Sequence, residues 1–109
     1  MTNLLHQKCQ TQGVSAMGET EIHSHLGQVS GWQVRDGAIE KTFSFKNYHE
    51  TMGFVNALAW IANTEDHHPD LAVSYGRCVV RFSTHSAKGI SVNDFICAAK
   101  ADALVAFVA

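Results

Sequence analysis

The sequence predicts an α+β domain of order α-β-β-α-β-β-α, with a four-stranded antiparallel sheet and helices packed on one face. Two short β-rich pairs, each split by a turn signal, predict the hairpins. Three stretches with apolar residues at three- and four-residue steps predict the helices that flank them. The length of 109 residues with 46% hydrophobic content suits one core and one domain, assigned to residues 19–109.

Residues 1–18 scatter Gln, Thr, Ser and Gly without a clear period and read as a flexible arm. From Thr20, Ile22, Leu26 and Val29 recur at helical spacing and stop before Ser30-Gly31, which predicts a short first helix. Trp32 to Arg35 and Ala38 to Phe45 flank Asp36-Gly37, the dipeptide suited to a two-residue type I′ turn. Ile39, Phe43 and Phe45 share one strand face, which Lys41 interrupts. Asn47 with Glu50 three residues later makes a capping box for a long helix from about Tyr48 to Glu65. Its expected apolar stripe is Met52, Val55, Leu58, Ala59 and Ala62, and Pro69 forbids continuation. Leu71, Val73 and Tyr75 alternate with Ala72 and Ser74, Gly76 supplies a turn, and Cys78 to Thr84 is rich in β-formers. Ser91 and Asp94 form another capping-box pair, opening a last helix that carries Phe95, Ile96, Ala99, Ala103 and Phe107. The sheet's open face and unpaired edges are candidate surfaces for self-association.

Composition excludes several function classes. Eight Lys plus Arg against ten Asp plus Glu, with no basic run, lack the electrostatic footprint of a direct nucleic-acid binder. No segment has the apolar length of a membrane helix, and residues 1–17 lack signal-peptide character, so a soluble, cytoplasmic protein is expected. Cys9, Cys78 and Cys97 are odd in number and without C-x-x-C spacing, which argues against a disulfide framework or a cysteine zinc site. Cys78 and Cys97 read as small core residues.

Chemistry concentrates at Asp66-His67-His68-Pro69 and Ser83-Thr84-His85. Paired residues in an antiparallel hairpin have a constant sum of numbers, and a turn near Gly76 sets that sum at about 151 or 152. Extrapolated past the strand ends, it brings His85 opposite Asp66 or His67. Three imidazoles then share one neighbourhood, and imidazole is the side chain best suited to moving protons near neutral pH. Pro69 biases His68 toward extended backbone, so the rings of His67 and His68 diverge. His6, His23, His25 and His49 read as surface or structural groups. Three histidines can also bind zinc, but this set lacks the i, i+4 pairing of the common helical motif. Asp94 reads as a cap partner, and Asp66 is an acidic residue at the unfavourable end of a helix dipole.

Asp66-His67-His68-Pro69, Tyr75, Ser83-Thr84-His85, Gly89 and Asp94 together resemble the signature of pterin-4a-carbinolamine dehydratases, with matching spacing over about thirty residues and matching element order from about Thr20 to Leu104. The resemblance implies removal of water from 4a-hydroxytetrahydrobiopterin to give quinonoid dihydropterin, which recycles the pterin of aromatic amino acid hydroxylases. It implies His67, His68 and His85 as catalytic residues lining a pterin pocket, with Asp66, Ser83, Thr84 and Asp94 as further substrate-binding residues. His67 and His85 are expected to handle proton transfers while His68 holds the pterin. The pterin is the substrate; no cofactor and no metal are expected. A homodimer or homotetramer is implied, and an aromatic amino acid hydroxylase is a candidate partner. The alternative is a non-catalytic interaction module, because some relatives bind homeodomain transcription factors. The chain departs from the family pattern at Asn63, where an acidic, basic or histidine residue usually stands four positions before the first His. Asn can hydrogen-bond but cannot act as a carboxylate base; activity is expected to survive the change.

Overall fold

The computed structural model describes residues 3–108, with side chains through Val105. Helix α1 (Glu19–Leu26) is followed by strands β1 (Gln33–Arg35) and β2 (Ala38–Ser44), helix α2 (Tyr48–Glu65), strands β3 (Asp70–Ser74) and β4 (Arg77–Phe82), and helix α3 (Val92–Val108). Single 3-10 turns cover Leu4–His6 and His85–Ala87. The four strands form one antiparallel sheet in the order β1-β2-β4-β3, as the α+β reading expects.

Both hairpins form where the turn signals stand. Asp36 and Gly37 have φ of 49° and 77°, the double positive φ that a type I′ turn requires. Gly76 is needed for a different reason: a Cβ there would meet the Phe45 carbonyl oxygen at 2.9 Å, and that backbone instead receives Phe45 N–H on the Gly76 carbonyl at 2.8 Å. The register of β3 with β4, Asp70 opposite Arg81 through Ser74 opposite Arg77, has the lower of the two expected sums.

Alternation sorts the sheet into two faces. Ile39 and Phe43 of β2 and Cys78, Val80 and Phe82 of β4 point into the core with Phe54, Leu58, Phe95 and Ile96 from the helices. The opposite face carries the cross-strand pair Glu40–Arg81 at 2.8 Å. Lys41, which breaks the apolar alternation of β2, ends on the Asp102 carboxylate of α3 at 2.8 Å, and the same carboxylate accepts the indole N–H of buried Trp32.

In α2 the cap is as expected, with Asn47 Oδ1 accepting Glu50 N–H at 2.9 Å. Glu50 reaches back to Lys46 N–H, one residue before the cap. The buried stripe is Thr51, Phe54, Leu58, Ile61 and Ala62 rather than the expected Met52, Val55, Leu58, Ala59 and Ala62. Phe54 and Ile61 remove more apolar area from water than Met52 and Ala59 would, and Thr51 can turn inward because its hydroxyl lies 2.9 Å from the carbonyls of Asn47 and Tyr75. Trp60 is left 70% exposed on the opposite side. In α3, Phe95 and Ile96 are fully buried, while the side chain of Phe107 lies outside the described residues. Cys78 and Cys97 are buried, as read. Among the described residues no helix is long and apolar enough to cross a membrane.

The segment before α1 lies along the body of the domain. Leu4 is buried in the core, Lys100 Nζ donates to Leu5 O at 2.8 Å, and Met17 N–H donates to Ile90 O at 2.7 Å.

Candidate active site

The end of α2 sets the site. Asp66 adopts the left-handed conformation (φ 52°, ψ 44°), in which Asp is tolerated better than most side chains. Its N–H bonds Ala62 O, and His67 N–H bonds the same carbonyl at 3.1 Å, so the helix closes within one residue and the chain turns sharply before Pro69. This turn separates the two adjacent imidazoles. His67 points inward with an 11% exposed side chain, and His68 stays exposed.

The His67 ring is fixed on two sides. It stacks on Phe82 with centroids 5.9 Å apart and planes at 11°. Its Nε2 lies 2.6 Å from Oδ1 of Asp94, a carboxylate with no exposed surface. The other oxygen of Asp94 accepts Ser91 N–H and the Thr84 hydroxyl, both at 2.9 Å. A hydroxyl has one proton, so Thr84, donating to Asp94, accepts from Ser91 Oγ across their 2.6 Å contact. Ser91 N–H and the Thr84 hydroxyl both meet Oδ2 of Asp94, which leaves Oδ1 to accept a proton from His67 Nε2. In the neutral ring that arrangement leaves Nδ1 as the acceptor nitrogen.

His68 Nε2 stands 3.1 Å from Asn63 Oδ1, so that ring donates to the amide where the family pattern has an ionisable group. His85 opens the 3-10 turn after β4. The hairpin ladder ends at Asp70–Arg81, and the chain then folds back through a Thr84–Gly89 bridge. The extrapolated pairing of His85 with Asp66 or His67 is thus not a ladder contact, yet all of these residues line one cleft of about 370 Å³.

Of the residues singled out in the sequence, Asp66, His67, His68, Ser83, Thr84 and His85 line this cleft. Asp94 does not; it stands behind His67 and combines the expected cap role, on Ser91 N–H, with the grip on the imidazole. Pro69, Asp70, Ser86 and Asn93 also border the cleft, as do Gln10, Thr11 and Val14 from the N-terminal segment, which carried no sequence signal. Among the described residues no group of three or more His, Cys, Asp or Glu side chains could hold a metal ion.

Comparison with known proteins identifies the family. The family model described as pterin 4 alpha carbinolamine dehydratase matches residues 15–104. A Chromobacterium violaceum protein is 53% identical over 103 residues, covering 94% of this chain and 95% of its own. One from Stenotrophomonas maltophilia is 61% identical over 90 residues, covering 81% and 78%. Both are named "Putative pterin-4-alpha-carbinolamine dehydratase". Among solved structures, a transcriptional coactivator/pterin dehydratase from Brucella melitensis superposes with a TM-score of 0.80 at 34% identity, over 83% of this chain and 98% of that one. A pterin dehydratase-like protein that is a RuBisCO assembly factor of the alpha-carboxysome shares the fold, with a TM-score of 0.57 at 23% identity. The chain belongs to the pterin 4 alpha carbinolamine dehydratase family.

Proposed function

We propose that the protein dehydrates 4a-hydroxytetrahydrobiopterin to quinonoid dihydropterin by histidine acid/base catalysis, recycling the pterin of an aromatic amino acid hydroxylase. The observation that carries the reading is the 2.6 Å contact between His67 and fully buried Asp94 at the wall of a cleft that His68 and His85 also line.

The reaction breaks the C4a–O bond and the N5–H bond. The N5 lone pair forms the C4a=N5 double bond as the oxygen departs with its electron pair, so one proton must be delivered and one removed. His67 takes the N5 proton on Nδ1: Asp94 holds its Nε2–H, fixing the tautomer, and compensates the positive charge that develops on the ring. His85, an exposed residue of the cleft, protonates the departing oxygen, which leaves as water. His68 binds the pterin, steadied by Asn63. Exchange with solvent restores both rings. Because the ring nitrogen itself expels the leaving group, the elimination calls for no cofactor or metal. Asp66, Ser83 and Thr84 supply substrate contacts, and Asp94 acts through His67.

Self-association into a homodimer or homotetramer fits the exposed β3 edge, whose Leu71 and Val73 are 38% and 40% exposed beside Tyr75 at 68%. A second reading, an interaction module, is favoured by the coactivator named in the Brucella melitensis relative.

The test is stopped-flow absorbance of hydroxylase-generated 4a-hydroxytetrahydrobiopterin with and without the protein. Accelerated decay that His67→Ala and His85→Ala both suppress is expected. Decay no faster than the spontaneous reaction would overturn the dehydratase reading and leave the interaction module, whose partner binding the same substitutions would not disturb.

A further inference from the structure

The N-terminal segment borders the histidine cleft, and its middle as well as its ends is hydrogen-bonded to the body of the domain. Asn93, 4% exposed and next to Asp94 in the first turn of α3, grips the backbone of Gln10 at two points. Its Oδ1 accepts Gln10 N–H at 2.8 Å, and its Nδ2 donates to Gln10 O at 2.9 Å. One residue earlier, Cys9 N–H donates to Glu65 Oε1 at 2.8 Å, and Cys9 Sγ lies 3.5 Å from Cys97 Sγ. The Gln10 N–H and carbonyl are thereby both bonded to one side chain and not to secondary structure, which fixes this stretch of backbone beside the cleft. Gln10 and Thr11 are exposed and border the same cleft as Asp66, His67 and His85.

We propose that Gln10 and Thr11 form a substrate-binding wall of the pocket, and that Asn93 is the positioning residue that holds this wall against the histidines. The inference rests on the pterin reading above. A pterin presents amide, amine and ring N–H groups along its rim, and a carboxamide and a hydroxyl supply the mixed donors and acceptors that such a rim needs. Asn93 and Asp94 are consecutive in α3, so one helical turn sets both the wall and the orientation of His67. The proton transfers are assigned to His67 and His85 and not to Gln10 or Thr11. Its loss therefore weakens binding while leaving the chemical step intact.

The experiment compares kcat and KM for dehydration, together with the equilibrium Kd for 7,8-dihydrobiopterin, in the wild type, Thr11→Val, Gln10→Ala and Asn93→Asp. Asn93→Asp is chosen because a carboxylate in the first turn of a helix favours the macrodipole. It still accepts Gln10 N–H but faces Gln10 O with an acceptor, so the hold on the wall is broken, and a urea midpoint measured for each variant shows that the fold survives the buried charge. The expected result is that KM and Kd rise together, roughly threefold for each side-chain variant and about tenfold for Asn93→Asp, with kcat within about twofold. An unchanged KM and Kd in Thr11→Val and Asn93→Asp would overturn the inference. So would a fall in both, which would make the segment a cover that the substrate must displace. A wild type that binds dihydrobiopterin without turnover would defeat the catalytic reading alone, leaving the wall to be judged by Kd; one that does neither would overturn both.

Discussion

Helix α3 carries two carboxylates that each hold a nitrogen donor, and the difference between them separates a structural tie from a group that positions a candidate catalytic imidazole. Asp102 lies eight residues beyond Asp94, about 12 Å further along the axis. It binds Lys41 Nζ at 2.8 Å and the Trp32 indole N–H, tying α3 to β2 and to the chain before β1. Its partners are a lysine ammonium and an indole N–H, and both members of the ion pair are about one quarter exposed. Asp94 binds the imidazole of His67, has no exposed surface, and stands behind a ring that lines the cleft. The same carboxylate chemistry thus serves cohesion where water reaches the pair, and serves orientation where the carboxylate is buried behind an imidazole that lines the cleft.

The strongest way to break the comparison is Asp94→Asn. Ser91 N–H cannot reverse its direction, so the amide oxygen must face Ser91 and the NH₂ must face His67. That forces the imidazole proton onto Nδ1 and removes the base. A fall in kcat of about 10³-fold is expected from stopped-flow measurement, by analogy with tautomer loss in other histidine–carboxylate pairs. A fall of less than tenfold would show that Asp94 is only a cap. Thr84→Val is the next largest effect: it deletes a donor to Asp94 and the acceptor for Ser91 in a fully buried network. Urea denaturation should show a loss of about 1–3 kcal/mol, with kcat lowered about tenfold.

Asp102→Asn sharpens the contrast from the other side. The Lys41 pair is partly exposed and screened, so the expected cost is only about 1 kcal/mol, read as a lower urea midpoint, with kcat unchanged within about twofold. A loss of activity at Asp102 comparable to that at Asp94 would erase the distinction. The smallest effect is expected at Asn63→Glu. Asn63 already accepts from His68, and an added carboxylate in the last turn of α2 opposes the helix dipole. A rate within about threefold of the wild type is expected; a gain of orders of magnitude would mean that Asn63 cripples the natural site.

Much of this was legible in the sequence because it depends on neighbours along the chain. The Asn47 cap, the Asp36-Gly37 turn, the stop before Pro69 and the divergence of His67 from His68 are decided by φ/ψ preferences and by hydrogen bonds across three or four residues. The stripe of α2 was misplaced by the same local reasoning. Periodicity admits more than one face, and the face that wins is the one whose Phe54 and Ile61 meet the sheet and whose Thr51 meets the Tyr75 carbonyl twenty-four residues away. The capping-box spacing of Ser91 and Asp94 was visible, but the grip of Asp94 on His67 was not, since it joins residues twenty-seven apart.

The sequence by itself determined the order of elements, the family and the set of histidines, because turn chemistry, caps, alternation and motif spacing are properties of short stretches of chain. Only the tertiary structure decided which imidazole is buried against a carboxylate, which carboxylate of α3 is sealed from water, and that Gln10 and Thr11 border the cleft. Those outcomes depend on contacts between distant segments and on the exclusion of water from between them, and no periodicity or spacing encodes either.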